Sequence, residues 1–160
     1  MITIIQRVIQ SNVTVNHKVI GEIKQGIMAL VAVEKLDTEQ EATRLLERML
    51  NYRIFSDEND RMNLSLRDTN GGLLLIPQFT LLADTEKGNR PSFTSAAAPE
   101  LGQQLFQFLT DKAKEGYHTV ACGEFGSDMK VSLINDGPVT FTLRARPANH
   151  HPDHRHKVEL

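Results

Sequence analysis

The chain of 160 residues has one cysteine, Cys122, no tryptophan, and an aromatic content of only 6%. A single thiol excludes an internal disulfide framework, and no Cys/His pairs recur at the spacing of a structural zinc site. Long apolar runs are missing too: the longest, Ile27 to Val33, falls far short of the 18 or more residues of a membrane span. The opening MITIIQRVIQ lacks the basic stretch and long apolar segment of a secretory signal. These absences predict a cytoplasmic protein with no membrane contact. Charge of one sign is also lacking. Lys plus Arg number 18 against 20 Asp plus Glu, a formal net charge of -2, so no basic field wraps a duplex and no DNA partner is expected. A site that grips only one end of a nucleic acid needs few contacts and stays compatible with this balance. No Gly-rich phosphate loop, HExxH, GxSxG or CxxC is present, so the common nucleotide, zinc-protease, hydrolase-elbow and redox signatures all fail.

What is present reads as one domain over residues 1–146, long enough to bury a core without staples. Ile2, Ile4, Val8, Val13 and Val15 alternate with polar neighbours, and Asn16-His17-Lys18 marks a hairpin turn before Val19 to Ile23. Ile27 to Val33 predicts a strand covered on both faces. Ala42, Leu45, Leu46, Met49 and Leu50 fall at helical spacing behind a Thr38/Glu41 capping box, predicting a helix at about 38–51. Tyr52 to Phe55 reads as a short strand and Leu73 to Leu82 as a second apolar one. A second helix starts at Pro99, carries Leu101, Leu105, Phe108 and Leu109, and stops at Gly116. Strands at Thr119 to Cys122 and Lys130 to Ile134, a turn at Asn135-Asp136-Gly137-Pro138, and a strand from Val139 to Arg144 complete the domain. The tail at 147–160 holds four of the six His and almost no apolar content, so disorder is expected there. Strands cluster rather than alternate with helices, which predicts an α+β fold of mostly antiparallel sheet with two main helices.

Two segments stand out chemically. Pro77-Gln78-Phe79-Thr80-Leu81 sets a proline and two polar side chains in an apolar strand, so an edge or bulge is expected there. Period-2 alternation puts Gln78 and Thr80 on one face, where they serve a ligand or simply face water. Asn135-Asp136-Gly137-Pro138-Val139-Thr140 contains a Gly-Pro bond, whose cis form costs only about 0.5–1 kcal/mol; a bare turn and a cis element are both open. The Ala83–Ser95 loop, with Lys87, Gly88, Arg90 and Pro91, is long enough for a functional role or a plain connection. Cys122 follows Val120-Ala121 with no nearby His and reads as a buried structural thiol rather than a nucleophile.

Ile5-Gln6-Arg7-Val8, Tyr52-Arg53-Ile54-Phe55-Ser56-Asp57, Met62-Asn63, Gln78-Phe79-Thr80-Leu81, Arg90-Pro91-Ser92-Phe93, Asp128-Met129 and the terminal NDGPVT together resemble the D-aminoacyl-tRNA deacylase family, from Met1 to about Arg144. One departure is Pro77, where that family usually carries Ser before its Gln-Phe-Thr-Leu motif; the replacement removes a hydroxyl and an N–H.

The resemblance implies a barrel-like fold and hydrolysis of the ester joining a D-amino acid to the terminal ribose of tRNA, and of glycine mischarged on alanine tRNA. It also implies a homodimer with the active site at the subunit interface. Gly137 and Pro138, joined by a cis bond, would enter the neighbouring pocket and exclude L side chains by rigid backbone. Gln78 and Phe79 would hold the 3′ terminal adenosine, with Met129 among the substrate contacts; Arg7, Asn135 and Thr140 would support the Gly-Pro loop. Thr80 has no evident activating partner in the sequence, so catalysis is expected from the substrate's ribose 2′-OH, with backbone N–H groups near Phe79 and Thr80 stabilising the oxyanion. No metal or cofactor is called for. Two rivals are a non-catalytic module binding a tRNA end or a D-amino acid, and a metal-handling role for the His-rich tail.

Overall fold

The computed structural model describes residues 1–148, so the expected disordered tail, and with it the rival metal-handling role, lies outside the described residues, apart from Pro147 and Ala148. Strands β1 (Ile2–Val15), β2 (Lys18–Ile23) and β3 (Gly26–Ala32) open the chain, followed by helix α1 (Glu39–Asn51). Strands β4 (Phe55–Ser56) and β5 (Met62–Leu64) form a small separate pair before the short helix α2 (Leu66–Thr69). Then come β6 (Gly72–Pro77), a 3-10 turn at Phe79–Leu82, helix α3 (Pro99–Gly116), β7 (Val120–Cys122) and β8 (Lys130–Arg144).

The main sheet runs β2-β1-β3-β6-β7, with β8 along the other side of β1. Strand β2 curls back towards β7, and a Cβ on Gly21 would stand only 3.0 Å from the Cys122 carbonyl oxygen. The sheet is thereby nearly closed into a barrel. Pairings of β1 with β2, β3 and β8 are antiparallel, whereas β3–β6 and β6–β7 are parallel. Parallel neighbours need long crossovers, and α1 and α3 lie in them.

Alternation of side chains explains the two unbroken apolar runs. In β3, Ile27, Ala29 and Val31 face α1 and α3, while Met28 faces the barrel interior; in β6, Leu73 and Leu75 take the first face, Leu74 and Ile76 the second. Thr38 caps α1 with Glu41 reciprocating, as expected, and Leu45, Leu46, Met49 and Leu50 are buried. Each such burial is worth about 1.5–3 kcal/mol. The hairpin at Asn16-His17 also matches expectation, with both residues at positive φ, 49° and 64°, the geometry that suits the twist of a two-residue hairpin.

Five expectations are corrected. The short strand expected at Tyr52 to Phe55 begins only at Phe55 and runs to Ser56, where it pairs with β5. The strand expected over Leu73 to Leu82 ends at Pro77, and Phe79–Leu82 forms the 3-10 turn. The expected strands at Lys130 to Ile134 and Val139 to Arg144 are one strand, β8, interrupted by a bulge where a turn was anticipated. A third helix, α2, is added; its signal was Ser65 with Asp68, a second capping box. Cys122 is half-buried rather than sealed in the core.

Candidate functional site

The polar segment after β6 is positioned by the sheet. The Gln78 N–H donates to the Val31 carbonyl at 2.7 Å, extending the β3–β6 ladder by one bond before the chain turns. Pro77 therefore sits at the strand end, where its missing N–H costs little. In the turn, Gln78 Nε2 donates to Thr80 Oγ1. The expected shared face thus exists, produced by the 3-10 turn rather than by strand alternation. Phe79 is 58% exposed, and its ring packs on Phe93 with centroids 5.1 Å apart. The N–H groups of Phe79 and Thr80 open the turn, where the first donors of a helix have no intrahelical partner.

Beside this turn lies a pocket of about 500 Å³, lined by Gln78, Phe79 and Met129 together with apolar residues of β3, the end of β6 and α3. Its far wall is the loop 123–129, contributing Phe125 and Asp128. The Glu124 N–H approaches Met129 Sδ at 3.4 Å, folding that loop onto itself. Asp128 is paired with Lys130 at 2.9 Å on the exposed rim.

Arg7, Asn135, Gly137, Pro138 and Thr140 form a second group, and none of them lines the pocket. Gln6 pairs with Thr140 and Val8 with Asn135, so residues 136–139 of β8 bulge out opposite the single residue Arg7. The Gly137–Pro138 bond is cis, and both residues are exposed. Arg7 holds the bulge from one side: Nε donates to the Asp136 carbonyl at 2.8 Å and Nη1 to the Ile54 carbonyl at 2.9 Å. Asn135 closes it from the other, accepting from Val139 N–H at 2.7 Å and donating to Thr140 Oγ1 at 3.1 Å. Gly137 has φ 150°, and a Cβ there would stand 2.5 Å from Val139 Cγ2, so only glycine suits this position.

The anticipated residues thus fall in two clusters on one chain. Reading the sequence missed Phe93, Phe125 and Gly102 as parts of the pocket region. Phe93 lay within the Arg90-Pro91-Ser92-Phe93 motif; the other two come from α3 and a loop remote in sequence, with no local pattern to mark them.

The family model for D-Tyr-tRNA(Tyr) deacylase matches residues 4–144. A D-aminoacyl-tRNA deacylase of Colwellia psychrerythraea is 54% identical over 143 residues, 89% of this chain and 99% of its own length. One from Pseudoalteromonas translucida is 57% identical over 140 residues, 88% and 97% of the two chains. Among solved structures, a c-Myc DNA unwinding element binding protein superposes with a TM-score of 0.87 at 32% identity, covering 92% of this chain and 100% of that one. A probable eukaryotic D-amino acid tRNA deacylase shares the fold with a TM-score of 0.76 at 17% identity, covering 89% and 97%. No helix among the described residues is long and apolar enough to cross a membrane. With the matched region spanning nearly all of its sheet and helices, the chain belongs to the D-Tyr-tRNA(Tyr) deacylase family.

Proposed function

We propose that this chain hydrolyses D-aminoacyl-tRNA in the cytoplasm, as a homodimer whose two pockets are each completed by the partner's Gly137-Pro138 bulge. The observation that carries this reading is the separation of the two clusters. One chain has a pocket bounded by Gln78, Phe79 and Met129, and an exposed bulge, fixed by Arg7 and Asn135, that contributes no residue to that pocket. Exposed Ile9 and Ile134 flank the bulge in β1 and β8, the apolar setting that a subunit contact needs.

In this reading the pocket takes the 3′ terminal adenosine and the bulge meets the aminoacyl group. Bulge carbonyls receive the substrate amino group, and rigid backbone leaves no room for an L side chain. Glycine has no side chain to exclude, so glycine mischarged on alanine tRNA also enters. Water adds to the ester carbonyl carbon, and the N–H groups of Phe79 and Thr80 stabilise the resulting oxyanion. The C–O bond to the ribose then breaks, the 3′ oxygen takes a proton, and a free D-amino acid and tRNA leave. The neighbouring 2′-OH assists by orienting the water and passing the proton. Thr80 supports rather than attacks, because Gln78 holds its Oγ1 and, among the described residues, no imidazole or carboxylate hydrogen-bonds it.

The test compares D-tyrosyl-tRNA with L-tyrosyl-tRNA on purified, chelator-treated protein. Selective loss of the D ester supports the proposal. Binding without turnover would instead make the chain a non-catalytic tRNA-end module, and turnover only after metal is restored would point to a metal-dependent reaction.

A further inference from the structure

Gly102 occupies the second turn of α3, buried, and keeps an ordinary helical backbone rather than the positive φ that calls for glycine. Alanine is the better helix former at such a position, so the backbone does not explain the residue. Space does. A Cβ at 102 would stand 3.2 Å from Phe125 Cζ and 3.4 Å from Cε2, inside the ordinary carbon–carbon separation of about 3.5–4.0 Å. Gly102, Phe106 one helical turn on, and Phe125 all line the same pocket.

The ring has little freedom to yield. Its loop is tied at one end by the Gly123 N–H to the Leu75 carbonyl at 2.8 Å, and within by Ser127 N–H to the Glu124 carbonyl at 3.3 Å. At the other end Met129 Sδ packs so closely that a Cβ on Gly123 would stand 2.7 Å from it. Gly126, at φ 80°, turns the chain between these anchors. The loop that carries Phe125 is therefore tied on both sides of the ring, and the ring edge meets α3 at Gly102, where a side chain is missing.

We propose that Gly102 is a positioning residue: by admitting the Phe125 ring edge against α3, it sets the depth of the pocket and so gauges the terminal nucleoside of the substrate. This rests on the proposed role of the pocket in holding that nucleoside. A methyl group at 102 occupies a corner of the cavity and presses on the ring edge, a change of wall rather than of the reacting groups near Phe79 and Thr80. The effect belongs on substrate binding and not on the chemical step.

The experiment uses Gly102→Ala, Phe125→Leu and the double variant in the full-length protein, with D-tyrosyl-tRNA kinetics and direct calorimetric binding of AMP. For Gly102→Ala, KM rises roughly tenfold while kcat stays within about twofold, the pattern of lost uniform binding for a misfit of one methyl. AMP affinity falls in parallel. Melting temperature falls only slightly, the misfit of one methyl being partly offset by the better helix propensity of alanine, which separates the effect from unfolding. In the double variant the shorter side chain makes room for the methyl, and KM returns to within about threefold of the parent. Unchanged KM and AMP affinity in Gly102→Ala, or a double variant no better than the single one, overturns the inference. If Gly102→Ala does not fold, Phe125→Leu alone decides: unaltered AMP affinity overturns the inference, weakened affinity with kcat retained supports it. A parent protein that binds AMP but leaves D-tyrosyl-tRNA intact overturns the deacylase proposal instead, and AMP binding still judges Gly102.

Discussion

Arg7 Nε donates to the Asp136 carbonyl across 129 residues of sequence, and the same guanidinium donates to the Ile54 carbonyl, so one side chain ties the β8 bulge to the segment after α1. Its Nε also lies 3.7 Å from the Asp136 carboxylate. Arg7→Lys keeps the charge but cannot span both carbonyls with a fixed fork. Hydrogen bonds to charged groups contribute about 1.5–3 kcal/mol each, so at least tenfold of deacylation should be lost. D-tyrosyl-tRNA turnover checks this, with the melting temperature as control for folding.

Gly137→Ala tests the backbone of the bulge directly. Its Cβ would meet Val139 Cγ2 at 2.5 Å and the Val139 nitrogen at 2.8 Å, and neither can retreat while Asn135 holds the Val139 N–H. The bulge must shift, so D-ester hydrolysis should fall by about tenfold or more and the D/L ratio should narrow. Parallel rate measurements on D- and L-tyrosyl-tRNA read both effects. A fall in D-ester rate with the ratio unchanged would remove Gly137 from chiral selection.

Thr80→Ala removes a hydroxyl that, among the described residues, is hydrogen-bonded by Gln78 alone. A supporting role predicts a loss of less than about tenfold, whereas a nucleophile would cost several orders of magnitude. Substrate ending in 2′-deoxyadenosine should react far more slowly with the parent protein. Full activity on the deoxy substrate together with an inert Thr80→Ala would reverse the assignment.

The covered faces of β3, the apolar start of β6, the hairpin turn, α1 with its capping box and α3 were all legible in the sequence, because each depends on residue pattern or on a cap within a few residues. Sheet closure was less so. β8 runs through a stretch that reads locally as a turn, at 135–138, because its long pairing with β1 absorbs the bulge. Parallel pairing of β3 with β6 and of β6 with β7 leaves no local mark at all. The same holds for the site. The Gln78 and Gly137 motifs were visible as anomalies in otherwise apolar or extended runs, whereas Gly102 and Phe125 acquire meaning only when α3 meets the 123–129 loop.

Acid should weaken the fold at two exposed turns. The Asn63 side-chain amide, aided by the Arg61 and Asn59 N–H groups, holds Asp57 below its ordinary 3.8. The Ser65 N–H and hydroxyl do the same for Asp68 at the cap of α2. For both, the folded value lies below the unfolded one, so their contribution is complete above the ordinary carboxylate range and is lost as pH falls through the folded values. Burial raises Asp37, which acts in the opposite sense. The useful comparison is therefore Asp68→Asn against the parent in urea unfolding at pH 6 and pH 3. The variant should be the less stable of the two at pH 6, and the gap should shrink at pH 3.

Mixing Gln78→Ala with Gly137→Ala tests the shared site most directly. Each variant alone should keep about a tenth or less of parental activity on D-tyrosyl-tRNA, one lacking a pocket side chain and the other an intact bulge. After subunit exchange, a heterodimer contains one site with the intact Gln78 of one protomer and the intact Gly137 of its partner. Statistical mixing makes about half of the dimers hybrid, each with one of two sites restored, so roughly a quarter of parental activity should return. No recovery, with exchange verified by differently tagged protomers, would contradict a site built from two chains.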